Sequence, residues 1–230
     1  QAMKSSTSNP HLPYSNTLPT IMKKLLTIIL FLISTITFSQ DFEGIIEYKI
    51  TYENLNEQNK VDIKGLENFL GTKSTFTTKK GAYKQISEGQ YMSFQVYKPN
   101  DVKLYYKDLM ESDTIYFKDL KKFDNTEFEF EIIKNADTIL NHICDKLIYK
   151  TDQTEEHYYF SPDLKQNPKY FKDYSFGNKN KLTELTKSIH LRYDLFFNGI
   201  LIKSVATEIK EQKIEDKEFE IPKNSILKEK

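Results

Sequence analysis

The sequence predicts a mainly β (α+β) fold, a single domain of antiparallel strands with one or two short helices. Three observations predict it. Apolar and polar residues alternate in short runs between residues 42 and 222, which is the period of a strand with one buried face. Asn198-Gly199 separates two apolar runs, the strongest short-range hairpin signal. The chain carries 16 Phe and 15 Tyr against only 7 Gly, and these aromatics suit half-buried pleated surfaces.

In chain order, Phe42 to Glu53 alternates strictly, with Phe42, Gly44, Ile46, Tyr48, Ile50 and Tyr52 on one face of a first strand. Val61 to Leu70 places Leu66, Phe69 and Leu70 at helical spacing, so a short helix is expected there. Thr75 to Lys79 and Ala82 to Ser87 flank Lys80-Gly81 as a hairpin. Tyr91 to Tyr97 puts Met92, Phe94 and Val96 on one side and ends at Lys98-Pro99-Asn100. Strands are then expected over Val102 to Lys107, Thr114 to Lys118, Glu127 to Ile133 and Ile143 to Thr151. Their alternation predicts half-exposed strands.

Glu156 to Ser161 forms another strand that is expected to stop at Ser161-Pro162. From Asp163 to Ser188 the period of two is lost, although Leu182, Leu185 and Ile189 are spaced for a short helix. Leu191 to Phe197 and Ile200 to Lys210 are the arms of the Asn198-Gly199 hairpin, and Glu218 to Pro222 is the last expected strand. No internal repeat is present. The charged tail, residues 223–230, is expected to fray.

The first forty residues differ from the rest. No Asp or Glu occurs before Asp41, and Met22-Lys23-Lys24 is followed by the uncharged, largely apolar run Leu25 to Phe38. A positive start, a short apolar stretch and small residues at Thr37 and Ser39 predict a signal peptide over residues 22–39, cleaved near Ser39. Residues 1–21 read as a disordered extension of the gene model. Residues 40–222 then form one domain that is periplasmic or secreted.

Beyond residue 40 there are 30 basic residues against 33 acidic ones. A nucleic-acid binder needs a basic excess or stripe to neutralise phosphates, so nucleic acid is not an expected partner. Cys144 is the only cysteine, which rules out an internal disulfide and leaves stability to packing. His142 and Cys144 alternate and could meet His157 from a neighbouring strand, a chemistry zinc favours. A third ligand and its support are not specified, so no metal is expected. Cys144 reads as a small buried hydrophobe rather than a nucleophile. Glu127 and Glu129 lie two apart on one strand face, as on a solvated surface. No catalytic residue, enzymatic activity or cofactor is expected.

Several segments carry a resemblance. They are F-E-G-I-I-E-Y-K-I-T-Y from Phe42, T-I-L-N-H-I-C-D-K-L-I-Y-K from Thr138, H-Y-Y-F-S-P from His157, and A-T-E-I-K from Ala206 followed by F-E-I-P from Phe219. In this order they resemble a group of exported Bacteroidota proteins of unknown function that are distantly similar to the lipoprotein carrier LolA and its partner LolB. The resemblance implies a curved antiparallel sheet, or half-open β-barrel, whose concave side is covered by short helices and holds acyl chains.

The expected function is that of an exported binding module for a hydrophobic small molecule, a lipid or a lipidated protein, with peripheral membrane contact. The candidate ligand-binding residues are Ile46, Tyr48, Ile50, Phe94, Val96, Leu104, Tyr106, Phe128, Phe130, Leu147 and Tyr149. Each could equally serve ordinary core packing, because any sheet must bury a face. Two alternatives are an integral outer-membrane β-barrel, since alternating strands can also face lipid, and an envelope structural or interaction protein without a ligand.

Overall fold

The computed structural model describes residues 41–57, 60–109 and 113–230. The expected leader and signal peptide lie outside the described residues. Twelve strands form one open, curved sheet. They are β1 (Gly44–Asn54), β2 (Lys73–Lys79), β3 (Ala82–Ser87), β4 (Phe94–Lys98), β5 (Lys103–Tyr106), β6 (Thr114–Asp119), β7 (Glu129–Ile139), β8 (His142–Lys150), β9 (Glu155–Lys165), β10 (Ser188–Phe197), β11 (Ile200–Glu211) and β12 (Ile226–Glu229). Two short helices join them, α1 (Ile63–Leu70) and α2 (Lys179–Thr186).

The spatial order is β12-β6-β5-β4-β3-β2-β1-β11-β10-β9-β8-β7, so each hairpin stays local and β1 closes back on β11 in the middle. Two-residue turns at Lys80-Gly81, Leu140-Asn141 and Asn198-Gly199 all have positive φ at both positions. That geometry matches the right-handed twist of the strands they join. The sheet has two edges, β12 and β7. An integral barrel would require these edges to pair, because an open edge leaves backbone groups unsatisfied in lipid. The described chain therefore does not form the barrel kept as an alternative.

The register separates two faces. Ile46 lies opposite Phe76, Phe76 opposite Gln85, Tyr83 opposite Tyr97, and Tyr97 opposite Leu104. Across the other half, Tyr193 lies opposite Tyr158, and Tyr158 opposite Leu147. These residues share what is here termed the helix-side face. Tyr52, on the same side of β1 as Ile46, donates to the Gly71 carbonyl at 2.6 Å and ties down the end of α1. The chain between β9 and β10, residues 166–187, lies over this face and contains α2. Its Phe171 and Tyr174 pack on Tyr83, Tyr97, Leu104 and Tyr106, and its Leu182 packs on Leu147, Tyr149 and Phe160.

The opposite face of β3 to β6 is covered as well. Val96, Tyr105 and Ile115 pack under Ile214 and Phe219 from the chain that follows β11. Lys79 donates to the Ile214 carbonyl at 2.6 Å, the Ile214 amide donates to Glu43, and Lys84 pairs with Glu218 at 2.7 Å. β4 and β5 are thus buried on both sides, not half-exposed as expected. Val96 and Tyr97 are neighbours in sequence, point to opposite faces, and are both 0% exposed.

Other elements differ from expectation for local reasons. β9 continues through Ser161-Pro162, because the β8 ladder ends at Phe160 and the missing amide of Pro162 costs no sheet hydrogen bond. The carbonyls of Ser161 and Leu164 instead accept from the Ser188 hydroxyl. α2 ends at Thr186, and Ile189 belongs to β10. Glu218 to Pro222, expected as a last strand, forms none; a 3-10 turn over Asp216–Phe219 instead seats Phe219 in the core. The tail adds β12 parallel to β6, with all four side chains exposed, so backbone pairing and the contacts Lys122 to Glu229 and Lys230 to Asp108 hold it.

Candidate functional site

The eleven candidate residues do not share one face. Ile46, Tyr48, Ile50, Leu104, Tyr106, Leu147, Tyr149 and Phe130 take helix-side positions in the register. Phe94 and Val96 take the other side and join the cluster around Ile214 and Phe219. The physical reason is that β4 is covered twice, so Phe94 and Val96 bury on one side while Tyr97 buries on the other. Phe128 precedes β7 and packs on Tyr149 at a tilt, with ring centroids 4.7 Å apart. Phe130 sits on the edge strand and is 54% exposed. Leu104, Tyr106, Leu147 and Tyr149 are already packed beneath the 166–187 cover or beside it.

The cover is fastened by polar bonds at identifiable points. Tyr97 donates to the Tyr170 carbonyl at 2.7 Å, and the Tyr83 and Tyr174 hydroxyls share a hydrogen bond of 3.0 Å. The Asn178 amide donates to the Tyr149 hydroxyl at 2.6 Å and to the Thr126 carbonyl at 3.0 Å. Its two ends meet where the Gln166 amide donates to the Lys187 carbonyl at 2.9 Å. Gly81 lets the cover approach, since a Cβ there would lie 2.2 Å from that of Tyr170.

Between the patch under Phe171 and the patch under Leu182, the cover leaves a cavity of about 160 Å³. It is lined by Tyr48, Ser74, Phe76, Tyr83, Gln85, Gln166, Lys179, Ile189, His190 and Ser204. A slip in the β9–β10 register sets His190 opposite Phe160, which turns its ring among Tyr48, Tyr158 and Tyr193 at centroid distances of 6.1, 5.6 and 6.1 Å. The Tyr48 hydroxyl donates to the His190 carbonyl at 2.7 Å. Lys179 is the first residue of α2, after Gly177 and Asn178 in left-handed conformation. Its ammonium stands 5.7 Å from the Phe171 ring centroid, and among the described residues no carboxylate pairs with it.

Burial sets the charge states here. It pulls the Lys179 ammonium down to about 8. Burial, with the neighbouring Lys179, pulls His190 down to about 3, so the imidazole is neutral at physiological pH. Burial also pushes the phenols of Tyr48 and Tyr83 up, the latter helped by Tyr174. The cavity therefore presents one cation, hydrogen-bonding amides and hydroxyls, and no acid. A surface cleft of about 540 Å³ lies instead against Glu47, Lys49, Lys73, Thr75 and Glu88. Its charges are mixed, and Lys73 already faces Glu88 at 3.7 Å.

The groups with possible metal or nucleophile chemistry are kept apart. Cys144 is buried with Ile139, Leu164 and Leu191, and that burial pushes its thiol up, away from thiolate. His142 faces Asp163 at 3.6 Å, and His157 pairs with Glu155 at 2.6 Å. Glu127 and Glu129 are exposed. Sequence reasoning missed Lys179, Gln166, His190 and Ser204, and nothing in the sequence distinguishes Lys179 from the other lysines of the chain.

The fold defines a class, an open single-sheet β protein with a helical cover. No protein-family model matches the chain, and no curated protein matches it. Among solved structures it is similar to PNGF-II in two crystal forms, with TM-scores of 0.46 and 0.45 at 14% identity. The match covers 81% of this chain but only 31% and 32% of those chains, so this chain spans about a third of their length. It is also similar to a LolA superfamily protein from Nitrosomonas europaea, with a TM-score of 0.37 at 12% identity, covering 85% of this chain and 97% of that one.

Proposed function

We propose that this chain is a periplasmic or secreted binding module that holds an amphiphilic ligand, a lipid or the acyl part of a lipidated partner, between the helix-side face and the 166–187 cover. The observation that carries this reading is the cavity at the seam of the cover, floored by apolar and aromatic residues of β1 to β3 and β10. Pockets that enclose a whole small molecule commonly measure about 300–1000 Å³. A volume of about 160 Å³ admits only one end of an amphiphile, so the rest is accommodated as the cover lifts from the sheet. The cover suits this role because its ends meet at Gln166 and Lys187 and can act as one hinge.

Solvent extraction of the protein purified from its native host, followed by mass spectrometry, tests the reading. A lipid or fatty acid present near one per chain is the expected result. Protein that is lipid-free and also fails to bind added fluorescent amphiphiles would contradict it. The β7 edge favours a second reading, an envelope interaction protein without a ligand. There Phe130, Ile133 and the adjacent Ile143 are exposed beside an unpaired strand edge, which can accept a strand from another chain.

A further inference from the structure

Resting on that reading, we infer that the seam cavity is a carboxylate subsite in which Lys179 binds the head group of a fatty acid. A half-buried ammonium with no counter-charge is costly, and a site that keeps one is completed by an anion from outside. Around it the walls add donors, not competing acids: Gln85 from β3, Gln166 at the start of the cover, Ser74 from β2 and Ser204 from β11. The Gln85, Gln166 and Ser204 side chains make no hydrogen bond among the described residues, so their donors are free for a ligand.

The charge balance selects the head group. One ammonium matches one carboxylate, whereas a phosphate monoester brings close to two negative charges at neutral pH. The cavity volume of about 160 Å³ also fits a small planar head better than a glycerophosphate. The apolar wall of Phe76 and Ile189 and the ring of Tyr48 lead from that head toward the sheet face under the cover, the path for the first methylenes.

The other titratable groups lining the cavity are Tyr48 of β1, Tyr83 of β3 and His190 of β10, and β2 and β11 contribute none. Among the lining groups, only Lys179 changes charge between pH 7 and 9. Because burial holds its ammonium near 8, much of the free protein lacks that proton at pH 9. Binding a carboxylate restores the cation, and a proton is taken up with the ligand.

The test compares cis-parinaric acid with its methyl ester, by fluorescence for affinity and by calorimetry at pH 9 in two buffers of different ionisation enthalpy. The inference expects the acid to bind at least about tenfold tighter than the ester, with uptake of a substantial fraction of one proton. In Lys179→Met both the preference and the uptake vanish while the ester binds as before. Equal binding of acid and ester to the unaltered protein would overturn the carboxylate subsite and leave the amphiphile reading standing. Failure of both probes to bind would instead overturn the reading beneath it.

Discussion

Strands β3 to β6 are covered on both faces, whereas β7 to β10 are covered on one. In the first region Phe171 and Tyr174 lie on one side and Ile214 and Phe219 on the other. In the second, Leu182 and Leu185 cover the helix-side face, and the other face carries a polar network. There Arg192 donates to Asp194 at 2.6 Å and to Asp137 at 3.3 Å, and its guanidinium stands 4.4 Å from the centre of the Tyr159 ring. The difference is written in the strands. Leu104, Tyr105 and Tyr106 are consecutive and all buried, while Glu129, Phe130, Glu131 and Ile132 alternate. A strand buried on both sides reads as a continuous apolar run, and one buried on a single side alternates.

Phe219→Ala and Ile148→Ala sharpen that comparison most strongly. Phe219 closes the second cover, and its truncation is expected to cost about 3–4 kcal/mol in urea unfolding. Ile148 sits half-buried on the polar face of β8, and its truncation is expected to cost only about 1 kcal/mol. Equal losses would mean that the 212–221 segment is not a true second layer.

A smaller effect is expected at His190, between the two regions. The folded protein keeps this imidazole neutral down to about 3, whereas the unfolded chain protonates near ~6.5. Between those values the unfolded state binds more protons, so His190 makes stability fall as pH is lowered through that window. His190→Gln is expected to flatten that part of the stability curve relative to the unaltered protein. Parallel curves for the two would show that His190 is freely hydrated.

Much of the strand layout was legible because hairpins are local: Asn198-Gly199 and Lys80-Gly81 turn where their residue types demand. The helix over Ile63–Leu70 was legible from the spacing of Leu66, Phe69 and Leu70. The second cover was not, because Ile214 and Phe219 are isolated apolar residues in a charged stretch and reveal nothing of what they meet. The loss of the period of two from Asp163 onward was visible, but the role of Tyr170, Phe171 and Tyr174 there depends on contacts with strands about 70 to 90 residues earlier, such as Tyr97 and Tyr83. The candidate site was legible in part. Ile46 and Tyr48 were readable as an apolar face, whereas Phe94 and Val96 fell on the other side. Lys179 acquires its character only from burial, which no local pattern encodes.

Hydrogen exchange read by mass spectrometry, on the protein freed of lipid and again with saturating cis-parinaric acid, tests the movable cover most directly. Peptides within 166–187 are expected to exchange faster than those of β1 and β10 in the free protein and to become protected on binding. Exchange in that segment as slow as in the central strands, unchanged by the fatty acid, would contradict the account.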